Sequence, residues 1–343
     1  MSVMLNEFLS APAAMRKVIN NNKKVIAEIA EEFKARKITN ITTVARGTSD
    51  NAATYFKYLT EAIGGIMVSK FSPSINTIYG SVVNLKDNML LAISQSGMST
   101  DTLMVAESAK KTGALVIGVT NNPNSPLAKV CDYYIDLLVD EEASISATKT
   151  FVAELTAMYM LANKLSATSA KTNIALIPPL LDAFITLKDD IRLFAEKTKH
   201  IDNFIILSRG LLQSVTNELS LKLMETSNKF SRPFSTCEFM HGPISIVKEG
   251  TIVVMLAPDS EFSQEFISMA TRLSLLGAEI IAFTDIPEVR KIAKFSLDMP
   301  SGRGMESPFI YTMAVELYAA YVAECLGINP DTPRNRKKIT ITK

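Results

Sequence analysis

The sequence predicts an α/β protein built from two tandem doubly wound, flavodoxin-like parallel-sheet sandwiches. Three observations carry this. Short, almost wholly apolar runs alternate with stretches of helical periodicity along most of the chain, as successive βαβ units require. The second half repeats landmarks of the first at a near-constant offset. Finally, 343 residues with 47% hydrophobic and 21% charged side chains are enough to build two cores at a typical ~150 residues per domain.

In chain order, residues 1–25 read as an N-terminal helix and residues 26–165 as the first domain. Within that domain NITTVAR (Asn40 to Arg46), MLLAIS (Met89 to Ser94), ALVIGVT (Ala114 to Thr120) and YYIDLLV (Tyr133 to Val139) are predicted buried strands. AATYFKYLTEAI, TDTLMVAESAKKTG and TFVAELTAMYMLANKL lie between or after them, each with apolar residues at three- and four-residue steps, and are predicted helices. Strands joined in this way form parallel sheets with right-handed crossovers, covered on both faces. Residues 166–199, with Pro178-Pro179 and a charged helical stretch, read as a helical connector. The second domain follows over 200–330, and 331–343 is a basic tail. There FIILSRG (Phe204 to Gly210) answers ITTVARG, with Arg46-Gly47 and Arg209-Gly210 separated by 163 positions. TIVVMLAP (Thr251 to Pro258) answers NMLLAISQ at the same offset, and GAEIIAFT (Gly277 to Thr284) answers GALVIGVT one residue further along. Three landmarks in one order predict an internal duplication.

Composition removes several function classes. Thirty-six basic against thirty-five acidic residues leave a net charge of +1, without the basic excess of a nucleic-acid binder or a polybasic membrane anchor. No apolar run approaches the ~18 residues of a membrane span. The opening MSVMLNEFLSAPAAMRK places Glu7 inside its apolar stretch and does not read as a secretory signal. Cys131, Cys237 and Cys325 are too far apart for a Cys-x-x-Cys site, and His200 and His241 are the only histidines, so no metal site is expected. No Walker motif or G-x-G-x-x-G occurs, and no cofactor is expected. A cytoplasmic location is the expectation.

Polar clusters follow the strands of the first half. Gly47, Thr48, Ser49, Asp50 and Asn51 come after the first strand, and SQSGMSTDT (Ser94 to Thr102) after MLLAI. SISATKT, with Ser144, Ser146, Thr148 and Lys149, precedes a helix. Hydroxyls and a glycine turn at a helix N-terminus suit a phosphate monoester, because hydroxyls donate, Gly97 admits the backbone and the helix dipole favours the anion. The same residue types also serve as ordinary helix caps. The second-half counterpart, APDS (Ala257 to Ser260), lacks the hydroxyl pair and adds Asp259, which would repel phosphate, so one phosphate site per chain is expected. That half contributes Glu225, on a predicted helix, and His241, beside the turn Gly242-Pro243. On the residues alone these equally fit a solvated helix face and a loop histidine. Ser96 is in no G-x-S-x-G elbow, so a Ser96–His241 hydrolase pair is disfavoured.

Taken in order, ARGTSDNA, ISQSGMSTDT, ISATKTF, LKLMETS with EFMHGP, and the tail DTPRNRKK resemble the sugar isomerase (SIS) family. More narrowly, they resemble the isomerase half of glucosamine-6-phosphate synthase and its stand-alone relatives, the amino-sugar-phosphate deaminases and deglycases. The resemblance runs from about residue 20 to the end, and the sixteen-residue spacing of Glu225 and His241 matches the family. It implies an SIS-type fold and a phosphate site at Ser94, Gln95, Ser96 and Ser99. It implies sugar contacts near Thr48, Ser49, Ser146 and Ala147, Glu225 as the base moving a proton between C1 and C2, and His241 as the ring-opening group supplied by the partner subunit of a homodimer. Lys338, in register with Lys337 as the alternative, takes the position of the lysine that forms a Schiff base with the open-chain sugar, in a tail that closes the active site. Met98 and Ala147 depart from an acidic residue and a serine of the synthase pattern, implying a different sugar pocket. The chain opens Met1-Ser2-Val3 with no N-terminal cysteine nucleophile, so glutamine-dependent synthesis is not expected and breakdown is favoured. The reaction implied is deamination of glucosamine-6-phosphate to fructose-6-phosphate and ammonia. A fructosamine-6-phosphate deglycase, a simple phosphosugar isomerase and a non-catalytic sugar-phosphate sensor are the alternatives.

Overall fold

Helix α1 (Val3–Leu9), α2 (Ala11–Asn21) and α3 (Lys23–Ala35) precede the first strand, in a computed structural model that describes residues 2–166, 168, 173–301, 304–332 and 334. Where one helix was expected over residues 1–25, the chain forms α1, α2 and the first turn of α3, because it turns at Ser10 ahead of Pro12 and again at Asn22. There follow β1 (Asn40–Val44), α4 (Thr48–Gly64), β2 (Met67–Lys70), α5 (Ser74–Thr77), β3 (Asn88–Ile93), α6 (Thr100–Lys111), β4 (Leu115–Thr120), α7 (Pro126–Val130), β5 (Tyr133–Asp136) and α8 (Lys149–Leu165). After α9 (Ile177–Phe184) and α10 (Lys188–Thr198), the pattern begins again. It comprises β6 (Asn203–Ser208), α11 (Gln213–Ser227), β7 (Phe230–Ser235), α12 (Thr236–Met240), β8 (Ile252–Ala257), α13 (Ser263–Leu275), β9 (Glu279–Thr284), α14 (Pro287–Ile292), β10 (Phe295–Asp298) and α15 (Ser307–Cys325).

The strands form two five-stranded sheets, every pairing parallel, in the orders β2-β1-β3-β4-β5 and β7-β6-β8-β9-β10. These are one order, the doubly wound one, shifted by five strands. The registers agree as well. Ile41 faces Met89 and Ile205 faces Val253, each pair 48 residues apart. Asn40 faces Met67 and Asn203 faces Phe230, each 27 apart. The predicted α/β fold of two tandem flavodoxin-like sandwiches is therefore the fold observed.

The chain divides into two compact units, one built on α2–α8 with the first sheet and the other on α1 and α10–α15 with the second. In the first, Val44, Leu90, Ala92 and Val116 of the sheet pack on Val105, Ala106 and Leu127 of its helices. Asn22 covers the edge strand β5: its amide nitrogen donates to the Asp136 carbonyl at 2.8 Å and its side-chain oxygen accepts from the Asp136 N–H at 3.1 Å. In the second unit, Leu207, Val253, Met255 and Ile280 pack on Phe266, Ala270 and Leu273. Here α1 is held by Asp331, whose carboxylate accepts from the N–H groups of Val3 and Met4 at 2.8 and 2.7 Å, where the helix dipole favours a negative charge.

The strands expected from apolar runs are β1, β3, β4, β5, β6, β8 and β9. The unexpected β2, β7 and β10 lie at sheet edges, where burial of one or two residues suffices. β7 even carries Pro233, which an edge strand tolerates. No helix among the described residues is long and apolar enough to cross a membrane.

Candidate functional site

In a sheet of order 2-1-3-4-5 the strand order reverses between β1 and β3, and ligands bind outside the carboxyl ends of strands at such a point. Val44 pairs with Ala92, so the loops carrying Thr48-Ser49 and Ser94–Ser99 leave the sheet side by side. Ser94 continues the sheet with its N–H on the Val119 carbonyl at 3.0 Å, and the chain turns as the Gly97 N–H closes on the Ser94 carbonyl at 2.9 Å. The Gln95 carbonyl accepts from the Asn121 N–H at 2.9 Å and from Thr120 Oγ1 at 3.1 Å, which ties the loop to the end of β4. Gly97 has φ +63°, and a Cβ there would sit 2.2 Å from Ser125 Oγ. Both the backbone conformation and the close approach require glycine.

Asp101, almost fully buried in the first turn of α6, organises this loop. One carboxylate oxygen accepts from Ser99 Oγ at 2.7 Å and the Thr102 N–H at 2.9 Å; the other accepts from Arg46 Nε at 2.7 Å. Arg46 ends the β1 segment, so this ion pair clips the two loops together. Ser49 Oγ donates to Glu154 Oε1 of the buried helix α8 at 2.7 Å. At the start of α8, Glu142 Oε1 accepts from the Thr148 N–H and hydroxyl at 2.9 and 3.0 Å, and its Oε2 accepts from the Thr150 hydroxyl at 3.0 Å. Ser146 just before it has a fully buried hydroxyl that meets no partner among the described residues. Of the residues singled out from sequence, Thr48, Ser49, Ser94, Gln95, Ser96, Ser99, Ser146 and Ala147 thus all lie in the loops and helix starts of this one unit. Glu142, Glu154 and the Arg46–Asp101 pair were not singled out as site residues.

The corresponding edge of the second sheet is acidic. The Asp259 N–H donates to Asp285 Oδ1 at 2.7 Å, and Ser263 Oγ donates to Asp259 Oδ1 at 2.8 Å. Burial pushes the Asp285 carboxyl above its ordinary range, and Asp259 beside it adds to this. Asp259, expected from the sequence to repel phosphate, thus has a second carboxyl beside it.

Glu225 lies on α11 and is held by a lysine. Lys222 Nζ sits 3.0 Å from Glu225 Oε2 and 3.0 Å from Glu218 Oε1, a spacing that puts all three on one helix face. The Lys222 and Glu218 side chains are fully buried, while Glu225 keeps 9% exposure and is the member that reaches solvent. Burial alone disfavours the charged form of Lys222, but Glu218, Glu225 and Glu316 around it outweigh that and hold the ammonium well above the ordinary lysine range. Lys222 is therefore a fixed positive charge, able to orient Glu225 and to stabilise its ionised form. His241 ends α12 on an exposed turn, its N–H on the Glu238 carbonyl at 3.1 Å. Lys337 and Lys338 lie outside the described residues. Among the described residues no cluster of His, Cys, Asp and Glu has the geometry of a metal site.

Sequence comparison matches the SIS domain family to residues 34–164 and again to 199–323, one match per sheet. The chain belongs to the SIS domain family. A glutamine–fructose-6-phosphate aminotransferase (isomerizing) of Clostridium tetani is 31% identical over 327 residues, covering 92% of this SIS chain and 54% of that protein. With 58% of the Thermococcus kodakarensis aminotransferase covered, the SIS chain spans little more than half the length of these relatives. Among solved structures, the C-terminal domain of glucosamine-fructose-6-phosphate aminotransferase from Francisella tularensis superposes with a TM-score of 0.84 at 25% identity, covering 97% of this chain and 98% of that one. Glucosamine-6-phosphate deaminase from Thermotoga maritima shares the fold, with a TM-score of 0.75 at 23% identity over 99% and 100% of the two chains.

Proposed function

We propose that this SIS protein carries out aldose–ketose isomerisation chemistry on an amino-sugar phosphate, converting glucosamine-6-phosphate to fructose-6-phosphate and ammonia. The observation that carries the reading is Glu225, a carboxylate at the edge of solvent held at 3.0 Å by a fully buried lysine. A proton-transfer base needs a fixed orientation and controlled access to water, and this arrangement supplies both. The relatives support the substrate class, since fructose-6-phosphate stands in their names. The loop from Ser94 to Ser99 supports the phosphate, with Ser94, Gln95, Ser96 and Ser99 as its contacts and Thr48, Ser49, Ser146 and Ala147 nearer the sugar.

In this reading His241 assists ring opening, which exposes the C1 aldehyde. Glu225 removes the C2 proton to give an enolamine and returns it to C1, leaving an imine at C2. In net terms water adds to that carbon, ammonia departs and the ketose remains, so no cofactor or oxidant is consumed. Lys338 takes part as the free amine: it adds to that C2 imine, displaces ammonia to give a Schiff base with the open-chain sugar, and water hydrolyses this to release the ketose and the lysine. A homodimer in which the partner subunit supplies the ring-opening histidine follows from the family resemblance, and a cytoplasmic location from the composition.

The test is ammonia release coupled to fructose-6-phosphate formation from glucosamine-6-phosphate, with Glu225→Gln as control. Glutamine preserves shape but not basicity, so turnover is expected to fall at least ~100-fold with substrate binding retained. Unchanged turnover in Glu225→Gln refutes the assignment of the base. Turnover only with fructosamine-6-phosphates moves the substrate to the deglycase class, and binding without turnover of either makes the protein a sensor.

A further inference from the structure

The duplication carries a feature that neither the phosphate loop nor Glu225 accounts for. Helices α8 and α15 are buried along nearly their whole length, and each holds one acid in its apolar middle. The local sequences are Val152-Ala153-Glu154-Leu155 and Ala314-Val315-Glu316-Leu317, 162 positions apart, close to the offset between the halves. Each acid acts on the helix that follows the first strand of its own sheet. Glu154 accepts from Ser49 of α4 at 2.7 Å, and Glu316 lies against Glu218 of α11. Among the described residues no N–H or O–H donor reaches either oxygen of Glu316, and both oxygens are fully buried. A hydrogen bond between two neighbouring carboxyls needs a proton on one of them.

We propose that Glu316 is a positioning residue for Glu225, acting through the buried Glu218–Lys222 pair. This rests on the reading of Glu225 as the proton-transfer base. Glu316 donates its acid proton to Glu218, Glu218 stays ionised against Lys222 Nζ at 3.0 Å, and Lys222 in turn fixes Glu225 at the same distance. Burial keeps the Glu316 carboxyl well above its ordinary range; Lys222 opposes this, and Glu218 and Glu225 add to it. The other elements against α15 leave the set unchanged. α10 buries only Ile191, Phe194, Ala195 and Thr198, and α1 contributes one buried ionisable residue, Glu7. With Glu316 neutral, one ammonium faces two carboxylates; with it ionised, three would compete for Lys222 and Glu225 would lose its share of the charge.

Two variants separate this role from simple packing, read as kcat and KM from pH 5 to 9 for whichever sugar phosphate the wild type turns over. Glu316→Leu fills the space but cannot donate to Glu218. Its kcat is expected to fall about 10- to 100-fold, the effect of losing a hydrogen bond to a charged group, with KM changed less than about twofold. Glu316→Gln donates through its amide and is expected to restore kcat to within about threefold of wild type. A Glu316→Leu protein with wild-type kcat and pH profile overturns the proposal. So does a Glu316→Gln protein as impaired as Glu316→Leu, which would make the ionisable proton itself the requirement.

Thermal melts of wild type and Glu316→Gln over the same pH range test the buried proton without any substrate. An acid whose carboxyl is raised on folding contributes stability in full below the ordinary carboxylate range and loses it as pH climbs toward the folded-state value. The variant's melting temperature should therefore gain on the wild type as pH rises. A pH-independent gap overturns the proposal even if Glu316→Leu fails to fold. If the wild type turns over no sugar phosphate while the gap widens with pH, the functional reading fails and the proton-sharing acid stands.

Discussion

Replacing Gly97 with alanine tests whether the loop after β3 is built as the structure describes. Two costs arise there, and they can be separated. The first is conformational: Gly97 sits at φ +63°, in the left-handed region, where an L residue costs about 1–2 kcal/mol. The second is steric, because the new Cβ would fall 2.2 Å from Ser125 Oγ, 2.4 Å from Ser125 Cβ and 2.9 Å from Thr120 Oγ1. The Ser125 hydroxyl caps α7 by accepting from the Ala128 N–H at 3.2 Å, so it cannot swing away without uncapping that helix. Overpacking of this kind adds about 1–3 kcal/mol. Gly65, which ends α4 at φ +61° with nothing within 4 Å of an added methyl, is the internal control and carries only the first cost. Urea denaturation should place Gly65→Ala about 1–2 kcal/mol below wild type and Gly97→Ala a further ~1–3 kcal/mol below that. Binding of inorganic phosphate, followed by calorimetry, should weaken in Gly97→Ala and remain unchanged in Gly65→Ala. Equal losses of stability in the two variants would refute the account of a loop held by contact with Ser125 and Thr120.

Asp101→Asn keeps the volume but exchanges one accepting oxygen for a donor, so it cannot satisfy Ser99, Thr102 and Arg46 together; phosphate affinity by calorimetry should fall about tenfold in a folded protein, and an unchanged affinity would remove Asp101 from the loop's support. Lys222→Met strips the counter-charge from the fully buried Glu218 and should cost about 3–5 kcal/mol in urea denaturation; a loss below ~1 kcal/mol would show that the lysine is not the partner the geometry assigns.

How far the fold could be read in advance depended on where each strand lies. The central strands β3, β4, β8 and β9 are buried on both faces and so appear as unbroken apolar runs, which periodicity detects directly. β2 reads Met-Val-Ser-Lys with only Val68 buried, and β10 reads Phe-Ser-Leu-Asp with only Leu297 buried; nothing in four such residues distinguishes an edge strand from a loop. The candidate site divides in a similar way. Ser94, Ser96, Gly97 and Ser99 advertise themselves as hydroxyls around a glycine turn. Glu218 and Lys222 do not, because an acid and a base four residues apart are what an exposed helix face also carries. Burial alone separates the two readings, and burial of α11 is decided by α15, about ninety residues further along the chain. One local signal does point inward: a lone acid in the apolar middle of a helix, as at Glu154 and Glu316, is costly to bury without a partner and so implies one.

The two halves share strand order, register and helix sequence closely enough that their differences can be compared position by position. After the third strand of the first sheet comes a hydroxyl-rich turn with no carboxylate until Asp101, which is itself bound by Arg46. After the third strand of the second comes Asp259, backed by Asp285. Along the helix after the first strand the asymmetry is reversed: α4 carries the hydroxyl of Ser49 where it meets its buried acid, while α11 carries Glu218 joined to Lys222. An anion-binding turn needs neutral donors and no fixed negative charge nearby. A proton-transfer carboxylate needs a buried cation to hold it and a dry surround to make that cation effective. In the proposed reading the phosphate and the proton-transfer carboxylate fall to different halves, and a duplicated sheet allows each half a different charge pattern. Exchanging the turns therefore makes a direct test: replacing Asp259 with serine removes the partly exposed carboxylate that accepts from Ser263 and should leave urea stability within about 1 kcal/mol. It should create no phosphate site while Asp285 remains, and calorimetric phosphate binding at a second site in that single variant would contradict the division of charge between the halves.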